Sequence, residues 1–222
     1  MVEATEGALL VQWARSTIEQ GLRKPRGFDA AELFGGPGLP DLADEKRGVF
    51  VTLLSYPSER LRGCVGYPVP VYPLRVGLPR AALAAAREDT RFPPLRPEEL
   101  PRTLVEVSLL TPPERVPLRE RSEIFDRIRL GRDGLIANTP ETSGLLLPQV
   151  PVEEGWDVPT FVRATCRKAG LSPEAWRDPR VEFYRFQSEI FRESRPGGPV
   201  VPRRWEVPEP RTPAGGRDPP EA

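Results

Sequence analysis

Within the stretch Leu61-Arg62-Gly63-Cys64-Val65-Gly66 a thiol, a guanidinium and two glycines stand close together. A thiol is nucleophilic when ionised, and an adjacent cation favours the ionised form. The stretch follows an apolar run, Gly48 to Leu54, and a turn-forming segment, Tyr56-Pro57-Ser58-Glu59-Arg60, so the pattern predicts a β-hairpin. Strand side chains alternate between faces, which sets Leu61, Gly63 and Val65 on one side and Arg62 with Cys64 on the other. That geometry predicts a lowered pKa for Cys64, with Arg62 as its electrostatic partner. The bland reading stands beside it: free cysteine is among the most buried residue types, and Cys64 beside two glycines can simply fill space.

The rest of the composition narrows the chemistry. The 222 residues include no histidine, which removes Ser-His-Asp and Cys-His catalysis, histidine zinc motifs and imidazole as a proton carrier near neutral pH. General acid or base work then falls to Asp, Glu, Cys, Tyr or Lys. The two cysteines, Cys64 and Cys166, form no CxxC pair, so neither a structural zinc site nor another metal site is expected, and no cofactor is implied. The 32 basic residues balance 32 acidic ones, so no overall field attracts nucleic acid or lipid, although a local basic patch is compatible with this balance. No apolar run reaches the length of a membrane span and no signal-peptide series opens the chain, which makes the cytoplasm the expected location. The 29 prolines and the preference for arginine over lysine fit either a GC-rich genome or a hot habitat.

The elements that must position the motif follow from periodicity. Leu10, Ala14, Ile18 and Leu22 predict an amphipathic helix over 5–22, capped by Thr5 and ending near Gly21. Residues 27–45 read as a long glycine-containing loop, and the closely spaced prolines after Gly66 impose an extended path. An alanine-rich helix is expected over 74–88, with Pro79 kinking it or marking a later start. Val105, Val107 and Leu109 alternate with Glu106 and Ser108 and predict a half-buried strand. A second hairpin is expected from 128–130 and 135–137, with 144–147 completing a meander. Then come a helix over 159–169 with Cys166 on its inner face, a helical turn at 172–176 and a strand over 181–190. From 196 to 222 proline, glycine and arginine dominate, with Trp205 the only large apolar anchor, and the segment reads as an irregular tail.

Four segments in this order carry a resemblance: 61–66, Asp89-Thr90-Arg91-Phe92-Pro93-Pro94, Leu146-Leu147-Pro148-Gln149-Val150, and the segment from Trp156 to Trp176. Together they resemble the AMMECR domain over roughly residues 5–195, most closely its archaeal members, whose first motif is usually Leu-Arg-Gly-Cys-Ile-Gly. Val65 stands here in place of that isoleucine, and stays β-branched. The resemblance implies an α+β protein of two lobes, mainly antiparallel sheets with helices packed on them. The larger lobe would carry the 61–66 motif in a cleft, and the smaller would include the meander of residues 124–150. Family members tend to be encoded near, or fused to, a Memo-type protein and a radical S-adenosylmethionine protein, which makes these the expected partners. The family has no established activity, so the resemblance implies a site without a reaction.

Two readings of the site remain. In one, the Cys64 thiolate is a catalytic nucleophile or redox group, with Asp89 or Glu153 handling protons. In the other, the cleft is a binding module for a protein or an anionic small molecule. Arg62 and Arg91 would grip an anion bidentately, Gly66 would leave access beside Gly63, and Gln149, Glu153 and Trp156 would border the cleft, although close packing or a bulge is the more common reason for two such glycines. The binding reading is preferred because no convincing base accompanies the thiol. Both arginines have a structural alternative as well, an ion pair, with Asp89 the nearest carboxylate in sequence. Oligomeric state is not legible.

Overall fold

The structure, a computed structural model, describes residues 2–23 and 40–203. In chain order the elements are α1 (Ala4–Arg23), α2 (Pro40–Asp44), β1 (Val49–Ser55), β2 (Arg60–Tyr67), α3 (Leu74–Arg87), β3 (Thr103–Leu110) and β4 (Glu114–Arg115). They continue with α4 (Ile124–Arg127), β5 (Asp133–Asn138), β6 (Ser143–Leu146), α5 (Val150–Glu153), α6 (Val158–Lys168), β7 (Glu182–Glu193) and β8 (Val200–Arg203). Short 3-10 helices occupy Pro97–Arg102, Arg121–Glu123 and Pro173–Arg177. The described residues divide into two compact units, those up to 114 with 186–203, and 115–185.

In the first unit the strands run in the order β2-β1-β3-β7, with β8 also on β7. Each of these pairs is antiparallel, and for β1 and β2 the short hairpin connection requires it. Alternation along β1 and β3 turns Val51, Leu53, Val105 and Val107 toward the helices, where all four are fully buried. Leu10, Val11, Ala14 and Ile18 on α1 and Leu74, Leu78, Ala81 and Ala82 on α3 close the same core. Small residues let helix and sheet approach closely: a Cβ on Gly7 would lie 2.1 Å from the Phe191 ring. Behind this core Glu193 joins three elements. Its carboxylate takes Arg15 of α1 and the Val105 N–H of β3, while Arg15 also donates to the Thr103 carbonyl.

The second unit has its own core. Ile124, Leu135, Ala137, Phe161, Val162, Cys166 and Phe183 are buried together, with Trp176 against Phe125 edge to face. Hairpin β5–β6 pairs Ala137 with Gly144, and α6 lies so close that a Cβ on Gly144 would sit 2.2 Å from the Ala169 nitrogen. The side chain of Asp157 caps α6 by accepting from the Thr160 N–H at 2.8 Å.

The α+β class and the antiparallel pairing agree with the sequence reading, and several boundaries differ. Thr5 lies inside α1 and is no cap. Pro40–Asp44, expected as loop, is the short helix α2, which opens on its proline. Residues 27–39, the part of that expected loop before α2, lie outside the described residues. Pro79 is buried within α3 and the helix runs through it. The first strand of the expected second hairpin is absent, because the buried carboxylate of Asp133 accepts the Arg129 N–H and folds 129–133 into a turn. The hairpin is instead β5 with β6. In the expected tail, Val200–Arg203 forms β8, with Pro202 opposite Phe191. Proline is tolerated there because a strand at a sheet margin need not donate outward. Trp205 lies outside the described residues.

Candidate functional site

The hairpin sets Thr52 opposite Cys64 and Leu53 opposite Gly63. Its register then slips, so that Leu54 faces Leu61 and Arg62 becomes the unopposed residue of a β-bulge. A bulge breaks strict alternation, and Arg62 does not serve Cys64. Its guanidinium grips Glu99, Nε to Oε1 at 2.9 Å and an Nη to Oε2 at 3.2 Å, with the Arg62 side chain only 14% exposed. The expected Arg62–thiolate partnership is thereby overturned.

The surroundings of the thiol disfavour its ionised form. Burial pushes the Cys64 pKa up, and the charges of Glu106 and Asp89 push the same way. A hydrogen bond from Thr52 Oγ1 at 3.4 Å and the nearby Arg91 charge oppose the rise without cancelling it. The lowered value expected from the sequence is thus replaced by a raised one, with burial outweighing the cation.

Asp89 and Arg91 act on the backbone of Cys64. β2 is an edge strand, and an edge presents unpaired N–H and C=O groups. Asp89, its side chain 6% exposed, accepts the Cys64 N–H at 2.8 Å, and Arg91 donates to the Cys64 carbonyl at 3.3 Å. The two are locked to each other, Arg91 Nε to Oδ1 at 2.9 Å and an Nη to Oδ2 at 2.8 Å. These Arg91 bonds, with the Cys64 N–H, hold the Asp89 carboxyl well below the usual carboxylate range. A carboxylate so held is a poor base. The structural ion pair between Arg91 and Asp89, weighed from the sequence, is the one present, and the Asp89–Pro94 loop mimics a neighbouring strand at the thiol's position.

Alignment of the registers reveals what the sequence reading missed. Cys64 pairs with Thr52, Thr52 with Glu106, and Glu106 with Arg192, forming one rung across β2, β1, β3 and β7. Directly paired residues share a face. Here it is the face opposite the helices, since Val51, Leu53, Val105 and Val107 face the core. Glu106 is 15% exposed on its side chain, and burial raises its pKa despite Arg192 and Arg203. Arg192 lies 3.9 Å from Glu106 and pairs with Glu59 of the hairpin turn at 3.1 Å. Counting outward from the turn would have pointed to Thr52; Glu106 needed the β1–β3 register, which is not local.

The glycines of the motif are packing devices. A Cβ on Gly63 would lie 2.2 Å from the Ala85 carbonyl oxygen of α3, and one on Gly66 would meet the Val49 oxygen and the Phe50 ring. Gln149, Glu153 and Trp156 belong to the second unit. Gln149 precedes α5, and its Oε1 is buried without a hydrogen-bond partner among the described residues. Glu153 is exposed, with its pKa raised by burial and by Glu154, and Trp156 packs against the core of its unit. Among the described residues no group of three or more Cys, Asp or Glu is placed to hold a metal ion, and no helix is long and apolar enough to cross a membrane.

The model of the AMMECR1 family matches residues 11–191. The chain belongs to the AMMECR1 family. Among the family's archaeal proteins, one from Thermococcus gammatolerans is 51% identical over 199 residues, covering 87% of this chain and 93% of the relative. A protein of Methanocaldococcus jannaschii is 44% identical, over 90% of this chain and 96% of its own. The crystal structure of the uncharacterized protein PH0010 from Pyrococcus horikoshii is similar at a TM-score of 0.75 and 44% identity, covering 89% of this chain and 96% of that one. Family and fold thus agree with what the motifs led one to expect.

Proposed function

We propose that this AMMECR1-family chain is a binding module, and that the flank of β2 with the Asp89–Pro94 loop forms its contact surface. The observation that carries the reading is the state of the reactive groups. Burial disfavours ionisation of the thiol, and the guanidiniums of Arg62 and Arg91 are each already matched to a carboxylate of the chain itself. A protein partner fits better than a small anion. Among the described residues the large exposed hydrophobics are Tyr56, Leu61, Val69, Val71 and Val201, all but the last within or just beyond the β1–β2 hairpin. Tyr56 and Leu61 stand at the turn end of the hairpin and Val69 and Val71 past its other end, and exposed apolar side chains along such an edge are what a protein interface uses. Arg91, with 56% of its side chain exposed, adds a polar rim.

The test is calorimetric titration with Memo-type and radical S-adenosylmethionine proteins, the partners expected from the family resemblance. Val69→Asp with Val71→Asp should abolish binding, and Cys64→Ser should leave it intact. Partner binding that survives the two aspartates, or that needs the thiol, would overturn the reading.

A second reading, thiol catalysis, is favoured by the Cys64–Thr52–Glu106 rung. In it Glu106, and neither Asp89 nor Glu153, accepts the proton as the thiol attacks, because Glu106 is the carboxylate near the thiol whose pKa is raised. Its signature is turnover lost in both Cys64→Ser and Glu106→Gln with binding retained.

A further inference from the structure

The second unit contains a cavity of about 410 Å³ that no part of the Cys64 reading uses. Four arginines line it, Arg115, Arg119, Arg121 and Arg127, against one carboxylate, Glu182. They come from four consecutive segments, β4, the loop after it, the 3-10 helix Arg121–Glu123, and α4. The balanced charge of the whole chain conceals this concentration.

The state of each guanidinium matters. Arg115 is held by Glu182 at 2.7 Å, and that carboxylate is shared with the Tyr184 hydroxyl. Arg127 reaches Glu123, outside the lining, at 3.5 Å. Arg121 donates to two neutral carbonyls, Trp176 and Val181, at 2.8 Å each, so its position is fixed while its charge is not cancelled by contact. Asp178 acts on Arg121 at longer range and is itself bound by Arg180. The Arg119 backbone N–H donates to the same Glu123 carboxylate at 3.4 Å, while the Arg119 guanidinium has no partner among the described residues. The walls are apolar: Val116, Pro117, Pro179, Val181 and Phe183, with Arg121 stacked 5.5 Å from the Phe183 ring centroid.

From this we infer that the cavity is a binding site for a small organic phosphate, its oxyanion held by Arg119, Arg121 and Arg127 and its carbon body against the proline and valine wall. Arginine forks match phosphate oxygens bidentately, and the volume falls within the range of about 300–1,000 Å³ typical of small-ligand sites. A polymer of phosphates would call for a stripe of charge along a surface, whereas here the cations converge on one concavity.

The experiment is calorimetric titration of the full chain with ATP, with inorganic pyrophosphate and with adenosine. ATP and pyrophosphate should bind, ATP more tightly, and adenosine should not. Arg119→Ala with Arg127→Ala should weaken ATP by about tenfold or more without changing the melting temperature of the free protein. Arg119→Glu alone should weaken it further than Arg119→Ala, and Arg62→Lys should leave it unchanged. Absence of phosphate binding at low salt, an affinity unaffected by these variants, or binding of a single-stranded oligonucleotide without binding of ATP would each overturn the assignment.

Discussion

Asp89 is bonded to Cys64 through the backbone and not through the thiol: the Cys64 N–H donates to Asp89 Oδ2 at 2.8 Å. With Arg91 on the Cys64 carbonyl, both polar backbone groups of that residue are satisfied from the Asp89–Pro94 loop. Asp89→Ala removes the acceptor and releases Arg91. Stability should fall by about 1–3 kcal/mol, and the bared strand edge should promote concentration-dependent association, read by analytical ultracentrifugation. A variant as stable as the parent and no more prone to associate would show that the edge is protected by something else.

The same pair sets an acid dependence. Because the folded Asp89 pKa is depressed, its stabilisation is fully present above the unfolded carboxyl value of about 3.9 and is lost as pH falls through the folded value. The difference in melting temperature between wild type and Asp89→Asn should therefore be constant from neutral pH down to about 4 and shrink below it. A difference independent of pH down to the acid limit would refute the coupling.

Thiol chemistry separates the two cysteines. Cys166 is fully buried with its pKa pushed up to about 11, while Cys64 is half-buried with a raised pKa. Iodoacetamide at neutral pH should label Cys64 slowly and Cys166 only on unfolding, as resolved by mass spectrometry. Glu106→Gln removes a negative charge that raises the thiol's pKa and should speed Cys64 labelling by roughly two- to fivefold. Unchanged kinetics in that variant would disconnect the rung electrostatically.

Arg62→Lys keeps the charge and loses the fork that grips Glu99. It should lower stability by about 1 kcal/mol, because a single ammonium cannot match both carboxylate oxygens. A melting temperature equal to wild type would return Arg62 to the list of residues available for a ligand.

Gly63→Ala would bring a methyl group within 2.2 Å of the Ala85 carbonyl oxygen, which belongs to the backbone and cannot swing aside. Overpacking of this kind costs on the order of 1–3 kcal/mol, so the melting temperature should drop by several degrees. If calorimetry found no loss, α3 and β2 would have to be able to separate freely.

The elements legible in the sequence were those whose pattern is local. The spacing of Leu10, Ala14 and Ile18 marked α1, and the alternation of Val105, Val107 and Leu109 marked β3, since each period reports a face buried against a partner. The hairpin carrying Cys64 was legible from its turn. Its bulge was not, because one extra residue leaves composition unchanged while it redirects Arg62. The Cys64–Thr52–Glu106–Arg192 rung depends on three strand registers, and the β3–β7 pairing joins residues far apart in sequence. Likewise the turn at 129–133 follows from burial of Asp133, a tertiary event that overrides the apolar flanks read as strands.

The close approach of Gly63 to Ala85 also bears on how such chains are recognised. A residue without a side chain is demanded there by contact between a strand and a helix, and Gly66 is hemmed in by the Val49 oxygen and the Phe50 ring in a similar way. Any polypeptide adopting this arrangement meets that demand whether or not it has a reaction to perform. The glycines of Leu61 to Gly66 are thus a fingerprint of architecture, and shared activity between two chains bearing it has to be sought in the residues that packing leaves free to vary.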